Sequence, residues 1–230
     1  MSDLSSLSAG LQKDLRTQLE PIGVAYVSEP PAGVAHGAQG PASCSYWKRA
    51  LDGEVFFTAA DDHLSCPIGA HTHAAPMSEA KSAELMGMIG TMVQLGYLSM
   101  AEVPKIPQRK TPLRFAVYAP LSKMPVAPDI ALVRGTAAQL MLVTEAAQAA
   151  GFAPDMPAMG RPTCAALPQA ESSGRPAVSL GCIGNRVYTG LADGEGYVAI
   201  PAAALPAVAE KLKILANANA ELEKFHRSRV

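Results

Sequence analysis

The sequence predicts an α+β protein made of two structurally similar halves, with mixed short strands flanked by helices and a long C-terminal helix. Three observations support this fold class. Short β-rich runs alternate with amphipathic helical patterns, the order of features in the first half returns in the second, and the chain ends in a long helical pattern. At 230 residues, of which 49% are hydrophobic, the chain is long enough to bury a core as a single compact domain over residues 1–230.

The first half, about residues 21–118, follows an N-terminal amphipathic helix. Leucines at steps of three and four predict that helix over about residues 3–20, and Pro21 ends it. Strands are then predicted over residues 22–27, 55–57 and 113–118, and helices over residues 44–51 and about 77–95. The segment 69–73 is predicted to be a loop, and in an extended segment His71 and His73 would lie on the same side.

The second half, about residues 128–200, begins after Pro128. Thr136 and Gln139 have the spacing of a capping box, which predicts the start of a helix that Gly151 ends. Strands are predicted over residues 130–133, 177–180, 187–191 and 197–200, a loop over residues 152–162, and the closing helix over about residues 202–225.

The two halves share an order of features that predicts an internal duplication. Each has a strand after a proline, a cysteine followed six residues later by an alanine, a glycine turn, a short apolar strand and a second cysteine with a glycine close behind it. The matched pairs are Cys44 and Cys164, Ala50 and Ala170, Gly53 and Gly174, and Cys66 and Cys182. If the halves pack about a pseudo-two-fold axis, the four cysteines of the chain converge at one site.

Four thiolates are the soft ligands that an iron–sulfur cluster or a zinc ion prefers. The chain has neither the closely spaced cysteine pair of most structural zinc sites nor a compact ferredoxin spacing, so dispersed ligands favour a 4Fe–4S cluster held between the halves over zinc. Gly69 and Gly184 would allow close backbone approach to it. With Arg186, whose guanidinium suits a carboxylate or a phosphate, they would shape a small-molecule pocket beside the cluster. This hypothesis describes a redox or cofactor protein.

Two other hypotheses remain open from the sequence. The cysteines are also compatible with buried structural thiols in a metal-free small-molecule-binding protein, because Cys is among the most buried residue types. A thiol-dependent enzyme is the third hypothesis, with a base supplied by His63, His71 or His73. No catalytic residue is assigned, so the sequence leaves open whether the protein is an enzyme.

Composition restricts the partners. Lys and Arg number 19 against 20 for Asp and Glu, and 5% of the residues are aromatic, which argues against nucleic-acid binding. No signal peptide and no membrane-spanning run are recognised, so a cytoplasmic location with reduced thiols is expected. The expected partners are a small molecule or an electron-transfer protein, and a homo-oligomer is compatible with the sequence.

The chain also resembles the family called domain of unknown function 169. The resemblance rests on Pro21-Ile22-Gly23-Val24, Cys44, Cys66-Pro67-Ile68-Gly69, Tyr118-Ala119-Pro120-Leu121, Pro128-Asp129, Cys164, Gly181-Cys182-Ile183-Gly184-Asn185-Arg186 and Ile200-Pro201. It covers roughly residues 21–215, and the four-cysteine layout is its most specific part. The resemblance implies a stand-alone cytoplasmic protein and brings no activity with it. The His71-Thr72-His73 segment departs from the family pattern.

Overall fold

The structure, a computed structural model, describes residues 3–155 and 162–230. Within these ranges the chain forms eight α-helices and seven β-strands. The helices are α1 (Leu4–Leu15), α2 (Ser45–Leu51), α3 (Pro67–Thr72), α4 (Glu79–Gln94), α5 (Ala137–Ala149), α6 (Ala166–Ser173), α7 (Ile183–Thr189) and α8 (Leu205–Arg227). The strands are β1 (Ile22–Val27), β2 (Ala35–His36), β3 (Phe56–Ala59), β4 (Phe115–Pro120), β5 (Ile130–Thr136), β6 (Ala177–Ser179) and β7 (Glu195–Pro201).

All seven strands belong to one mixed sheet in the order β2-β3-β4-β1-β5-β7-β6. Every neighbouring pair is antiparallel except β2 and β3, which are parallel. The predicted α+β class with a long C-terminal helix is therefore confirmed. None of the helices in the described ranges combines the length and the hydropathy that a membrane span requires.

Alternating side chains of the central strands build two separate cores, one on each face of the sheet. On one face, Ile130 and Leu132 of β5 pack with α2 and α6. On the other face, Ala131 and Val133 pack with α1, α5 and α8. Because successive residues of a strand point to opposite faces, one apolar run supplies both layers. All the thiols that the sequence singles out lie on the face that carries α2 and α6.

The strand order is symmetric about the centre of the sheet. Strands β1 and β5 are antiparallel neighbours there, with Gly23 opposite Ala131. Outward from them run β4 and β3 on one side and β7 and β6 on the other. The first residue of β1 lies opposite Pro120, and the first residue of β5 lies opposite Pro201, so the registers match as well. Apart from β2, which has no counterpart among the described strands, the strands match about the Gly23–Ala131 pair as a pseudo-two-fold axis would require, and the duplication itself stays a prediction.

Two segments differ from the predicted secondary structure. The predicted loop over residues 69–73 lies mostly within helix α3, and the predicted strand over residues 187–191 lies mostly within helix α7. Both helices begin at a cysteine N-cap, a residue type that sequence reasoning does not expect there. Pro67 favours the first turn of α3, and Gly190, at φ +63°, ends α7. A loop is predicted over residues 152–162. Residues 156–161 of this segment lie outside the part of the chain that the structure describes.

Candidate functional site

The four cysteines of the chain line one cavity of about 680 Å³. The cavity lies on the face of the sheet that carries α2 and α6, between the ends of α3 and α7. One part of its wall comes from α4, which brings Leu85, Met88, Ile89 and Met92 against it. Its volume is within the range of small-molecule binding sites, roughly 300–1,000 Å³.

Cys66 and Cys182 occupy equivalent positions in the two halves. Each is the N-cap of a short helix, and each Sγ accepts a hydrogen bond from the backbone N–H three residues on, at 3.4 Å. The donors are Gly69 in α3 and Asn185 in α7. Both cysteines are partly buried. Hydrogen bonds of this kind stabilise sulfur most when it carries negative charge, as a thiolate or a metal ligand does.

Cys44 and Cys164 are the second equivalent pair. Cys44 is the N-cap of α2, and Cys164 lies in the 3-10 turn that leads into α6. Each is 8% exposed. Burial raises the pKa of the Cys44 thiol to about 12 and the pKa of Cys164 well above its ordinary value. Without a bound cation, both side chains are therefore neutral thiols at neutral pH.

The cysteines approach each other across the pseudo-two-fold axis. Helix α2, which follows Cys44, contacts α7, which follows Cys182. Helix α3, which follows Cys66, contacts the turn that carries Cys164. Each buried thiol also feels the negative charge of the cysteines from both halves, which raises its pKa further. The structure therefore brings all four predicted ligands to the lining of one cavity. Cys44 lies towards Cys182 and Cys66 towards Cys164, so each of these pairs takes one cysteine from each half.

The spacing of the ligands bears on which metal group fits. Among residues 3–155 and 162–230, no three His, Cys, Asp or Glu side chains are close enough to share one metal ion. A tetrahedral zinc would need its sulfurs about 2.3 Å from a common point, so a single zinc ion does not fit. A 4Fe–4S cluster is bulkier than one ion, and its thiolates stand correspondingly farther apart around it. Sulfur donors are the ligands that a cluster prefers, and the cluster itself stays a prediction.

The predicted glycines have different positions. Gly184 lines the cavity, and Gly69 is buried behind it. A Cβ on Gly69 would lie 2.2 Å from Ser43 Oγ and 3.2 Å from Cys66 Sγ. Only glycine therefore fits at residue 69, because the helix must pass this close to both side chains.

Arg186 is not among the described residues that line the cavity. Its guanidinium donates to the backbone carbonyls of Leu180, at 2.5 Å, and Ala192, at 2.6 Å. These bonds connect α7 to the segment that follows β6 and to the one that precedes β7. The role of Arg186 in ligand binding stays a prediction. Both terminal nitrogens of its guanidinium already donate to backbone carbonyls.

Of the three candidate histidines, one lines the cavity. His71 lines the cavity, and burial lowers the pKa of its imidazole. His63 and His73 are fully buried outside it. The ring nitrogens of His63 bond to the hydroxyls of Ser43, at 2.9 Å, and Thr58, at 3.0 Å. The predicted same-side arrangement of His71 and His73 is wrong because the segment is helical, and residues two apart on a helix point in different directions.

Sequence reasoning missed one polar residue of the site. Asn185 lines the cavity and is 1% exposed. Its Oδ1 and Nδ2 are shielded from solvent, and its amide lies against the Cys44 thiol and the Tyr197 hydroxyl, where it partly offsets the rise in the pKa of each. The signal in the sequence is its place three residues after Cys182, where an N-capped helix directs a side chain towards the cap. Met88 and Met92 of α4 also line the cavity.

Comparison with known proteins places these residues within a family. The model of the family domain of unknown function 169, described as "Uncharacterised ArCR", matches residues 10–211. The matched region contains all four cysteines and every strand of the sheet. No curated protein and no solved structure matches the chain.

Proposed function

This chain belongs to the family of domain of unknown function 169, and we propose that it is a redox or cofactor protein whose four cysteines hold an iron–sulfur cluster beside a small-molecule pocket. One observation carries the proposal. The four cysteines line a single cavity, and they reach it from two pairs of equivalent positions in the two halves of the sheet.

The protein's own groups are arranged to hold anionic sulfur. The backbone N–H groups of Gly69 and Asn185 donate to the sulfurs of Cys66 and Cys182, and such hydrogen bonds are also made to metal-bound sulfur. At Cys44 and Cys164, burial raises the pKa of each thiol and so favours its uncharged form. A bound cation would reverse that effect, so metal loading is expected to release protons. When bound, a cluster supplies a one-electron carrier or an exposed iron.

The remaining part of the cavity supports the small-molecule pocket. Its wall on α4 is formed by apolar side chains, and His71 contributes a neutral imidazole at neutral pH because burial lowers its pKa. Such a wall excludes water from the thiols and leaves room for a ligand next to them.

The test is metal analysis of the full-length chain purified without oxygen. We expect a brown protein with about four iron and four acid-labile sulfide per chain, as a 4Fe–4S cluster requires. Cys66→Ser and Cys182→Ser should lose most of the iron. The matched control is Val187→Ala, in the same helix as the residues after Cys182 but 71% exposed and outside the cavity lining, and it should keep the iron. A colourless protein with neither iron nor sulfide, or one that holds zinc alone, would refute the proposal.

A metal-free binding protein is the second candidate, and the neutral state of the buried thiols favours it. With their pKa values raised by burial, Cys44 and Cys164 can remain as uncharged packing groups around an apolar ligand. In that case Cys164→Ala costs about 1–2 kcal/mol of stability and no bound metal. If the iron and sulfide assay is negative while the cavity still binds apolar probes, this candidate replaces the first.

A further inference from the structure

We propose that residues 78–108 form a lid over the cysteine cavity, and that this lid detaches to admit a ligand while the sheet stays folded. The lid consists of α4, the turn that follows it and the 3-10 turn Val103–Lys105. The inference uses the small-molecule pocket of the proposed function and adds how that pocket is entered. It does not depend on whether the cysteines hold iron.

The first observation is that the two ends of this segment are fixed beside each other. The Arg109 N–H donates to the Thr72 carbonyl at 3.0 Å, and the Leu113 N–H donates to the Ala74 carbonyl at 3.0 Å. The Arg109 guanidinium is fixed as well, because it donates to both carboxylate oxygens of Glu171, at 2.8 and 2.9 Å. The chain between these anchors can therefore move without displacing the strands that it connects.

The second observation is that α4 packs against the cavity and not into the core of the sheet. Leu85 and Ile89 are its buried residues, 7% and 6% exposed, and both line the cavity. Neither belongs to the core on either face of the sheet. Among the described helices and strands, α3 is the element against which α4 packs most extensively. Few contacts apart from those with α3 and the cavity wall therefore hold α4 in place.

The third observation is that the cavity separates the lid from α7. Ile183 and Tyr188 of α7 line the cavity and are 69% and 43% exposed. In the ranges that the structure describes, no extensive packing joins α7 to α4. An apolar ligand in the cavity would contact both helices, and by binding the attached lid it would stabilise that state.

Once detached, α4 has little helical stability of its own. It is 16 residues long and contains Gly87 and Gly90. Isolated helices of this length are marginal in water, and glycine is one of the poorest helix formers. Detachment should therefore expose the amides of α4 to hydrogen exchange and the cysteines of the cavity to reagents at the same time.

The experiment measures how fast Cys66 and Cys182 react with fluorescein maleimide, a bulky thiol reagent, in the full-length chain. Gly87→Ala and Gly90→Ala are the lid variants, because neither residue lines the cavity and a Cβ at either position would meet nothing within 4 Å. Each substitution favours the attached helix and should slow the reaction by about five-fold. If the sulfurs hold iron they do not react, and the rate of iron loss to a chelator is measured in place of the reaction, with the same expectation.

The matched control is Val208→Ala, which removes buried volume from the core on the other face of the sheet. This substitution lowers the stability of the whole domain, whereas detachment of the lid leaves that core intact. The rate measured on Val208→Ala should therefore differ from the wild-type rate by less than about two-fold.

Two results would overturn the inference. If Gly87→Ala and Gly90→Ala leave the rate unchanged, the cysteines are reached without movement of the lid. If Val208→Ala speeds the reaction by about ten-fold or more, they are reached only when the whole domain unfolds. Iron and sulfide are measured on the same samples. Absence of iron together with slower reaction in the glycine variants would refute the cluster and leave this inference standing, and iron whose loss is unaffected by those variants would do the reverse.

Discussion

Lowering the pH from 7 to 5 should destabilise the protein because two buried histidines resist protonation. His63 and His73 are fully buried, with ring centroids 4.9 Å apart. Burial lowers the pKa of His73 to about 4, and burial together with the neighbouring His73 lowers the pKa of His63 well below its ordinary value. Below pH 6.5 the unfolded chain therefore takes up protons that the native state does not accept. Stability is full above that pH and falls as the pH decreases towards 4.

The size of the effect follows from the shift at His73. Moving its pKa from 6.5 to about 4 makes the stability fall by up to about 1.4 kcal/mol per pH unit. Integrated from pH 7 to pH 5, His73 alone accounts for roughly 2 kcal/mol. His63 acts in the same direction and adds to this loss, which counts against the 5–15 kcal/mol of stability typical of native proteins.

The assay is urea unfolding of the full-length chain at several pH values between 5 and 7. The variant His73→Leu removes one titrating group and should reduce the loss of unfolding free energy between pH 7 and pH 5 by roughly 2 kcal/mol. The matched control is Val208→Ala, which removes buried apolar volume from the other core and no titrating group. It should lower stability by about 1–3 kcal/mol at every pH and leave the slope unchanged.

The outcome that refutes this reasoning is specific. If His73→Leu and the wild type lose the same free energy between pH 7 and pH 5, His73 is not held neutral by burial. His73 Nδ1 lies 2.9 Å from the Gly69 carbonyl, to which a neutral ring can donate, and Nε2 has no partner to stabilise a second proton.

Two further predictions concern α4 and a buried ion pair. Gly87 and Gly90 lie inside α4, and a Cβ at either position would meet nothing within 4 Å. Gly87→Ala and Gly90→Ala should therefore each stabilise the helix by about 1 kcal/mol. The measurement is amide hydrogen exchange, which should become roughly five-fold slower in α4. Arg109 lies 3.7 Å above the Tyr26 ring and donates to both oxygens of Glu171, at 2.8 and 2.9 Å. Glu171→Gln should lower the unfolding free energy measured in urea by about 1–3 kcal/mol. This loss is smaller than for a wholly buried ion pair because the Glu171 side chain is 32% exposed. The control Glu221→Gln, in the exposed part of α8, should change the unfolding free energy by less than about 0.5 kcal/mol.

Local patterns predicted most of the secondary structure. The capping box of Thr136 and Gln139 starts α5 as expected, with Thr136 Oγ1 accepting from the Gln139 N–H and Gln139 Oε1 accepting from the Thr136 N–H. Such signals act between residues three or four apart, so a single sequence contains them in full. Helices α3 and α7 were missed because a cysteine sulfur caps each of them, and sulfur is a weak acceptor that capping preferences do not include.

The sequence by itself determined the α+β class and most of the helices and strands, and it singled out the four cysteines as candidate ligands, because these depend on periodicity, turn residues and residue type. The tertiary structure decided what lies between the cysteines. The antiparallel pairing of β1 with β5 sets the pseudo-two-fold axis, and that axis brings Cys44 towards Cys182 and Cys66 towards Cys164. The tertiary structure also decided that Asn185 and α4 line the cavity, whereas the Arg186 guanidinium donates to backbone carbonyls. No local pattern encodes the cavity lining, because it joins residues far apart in sequence.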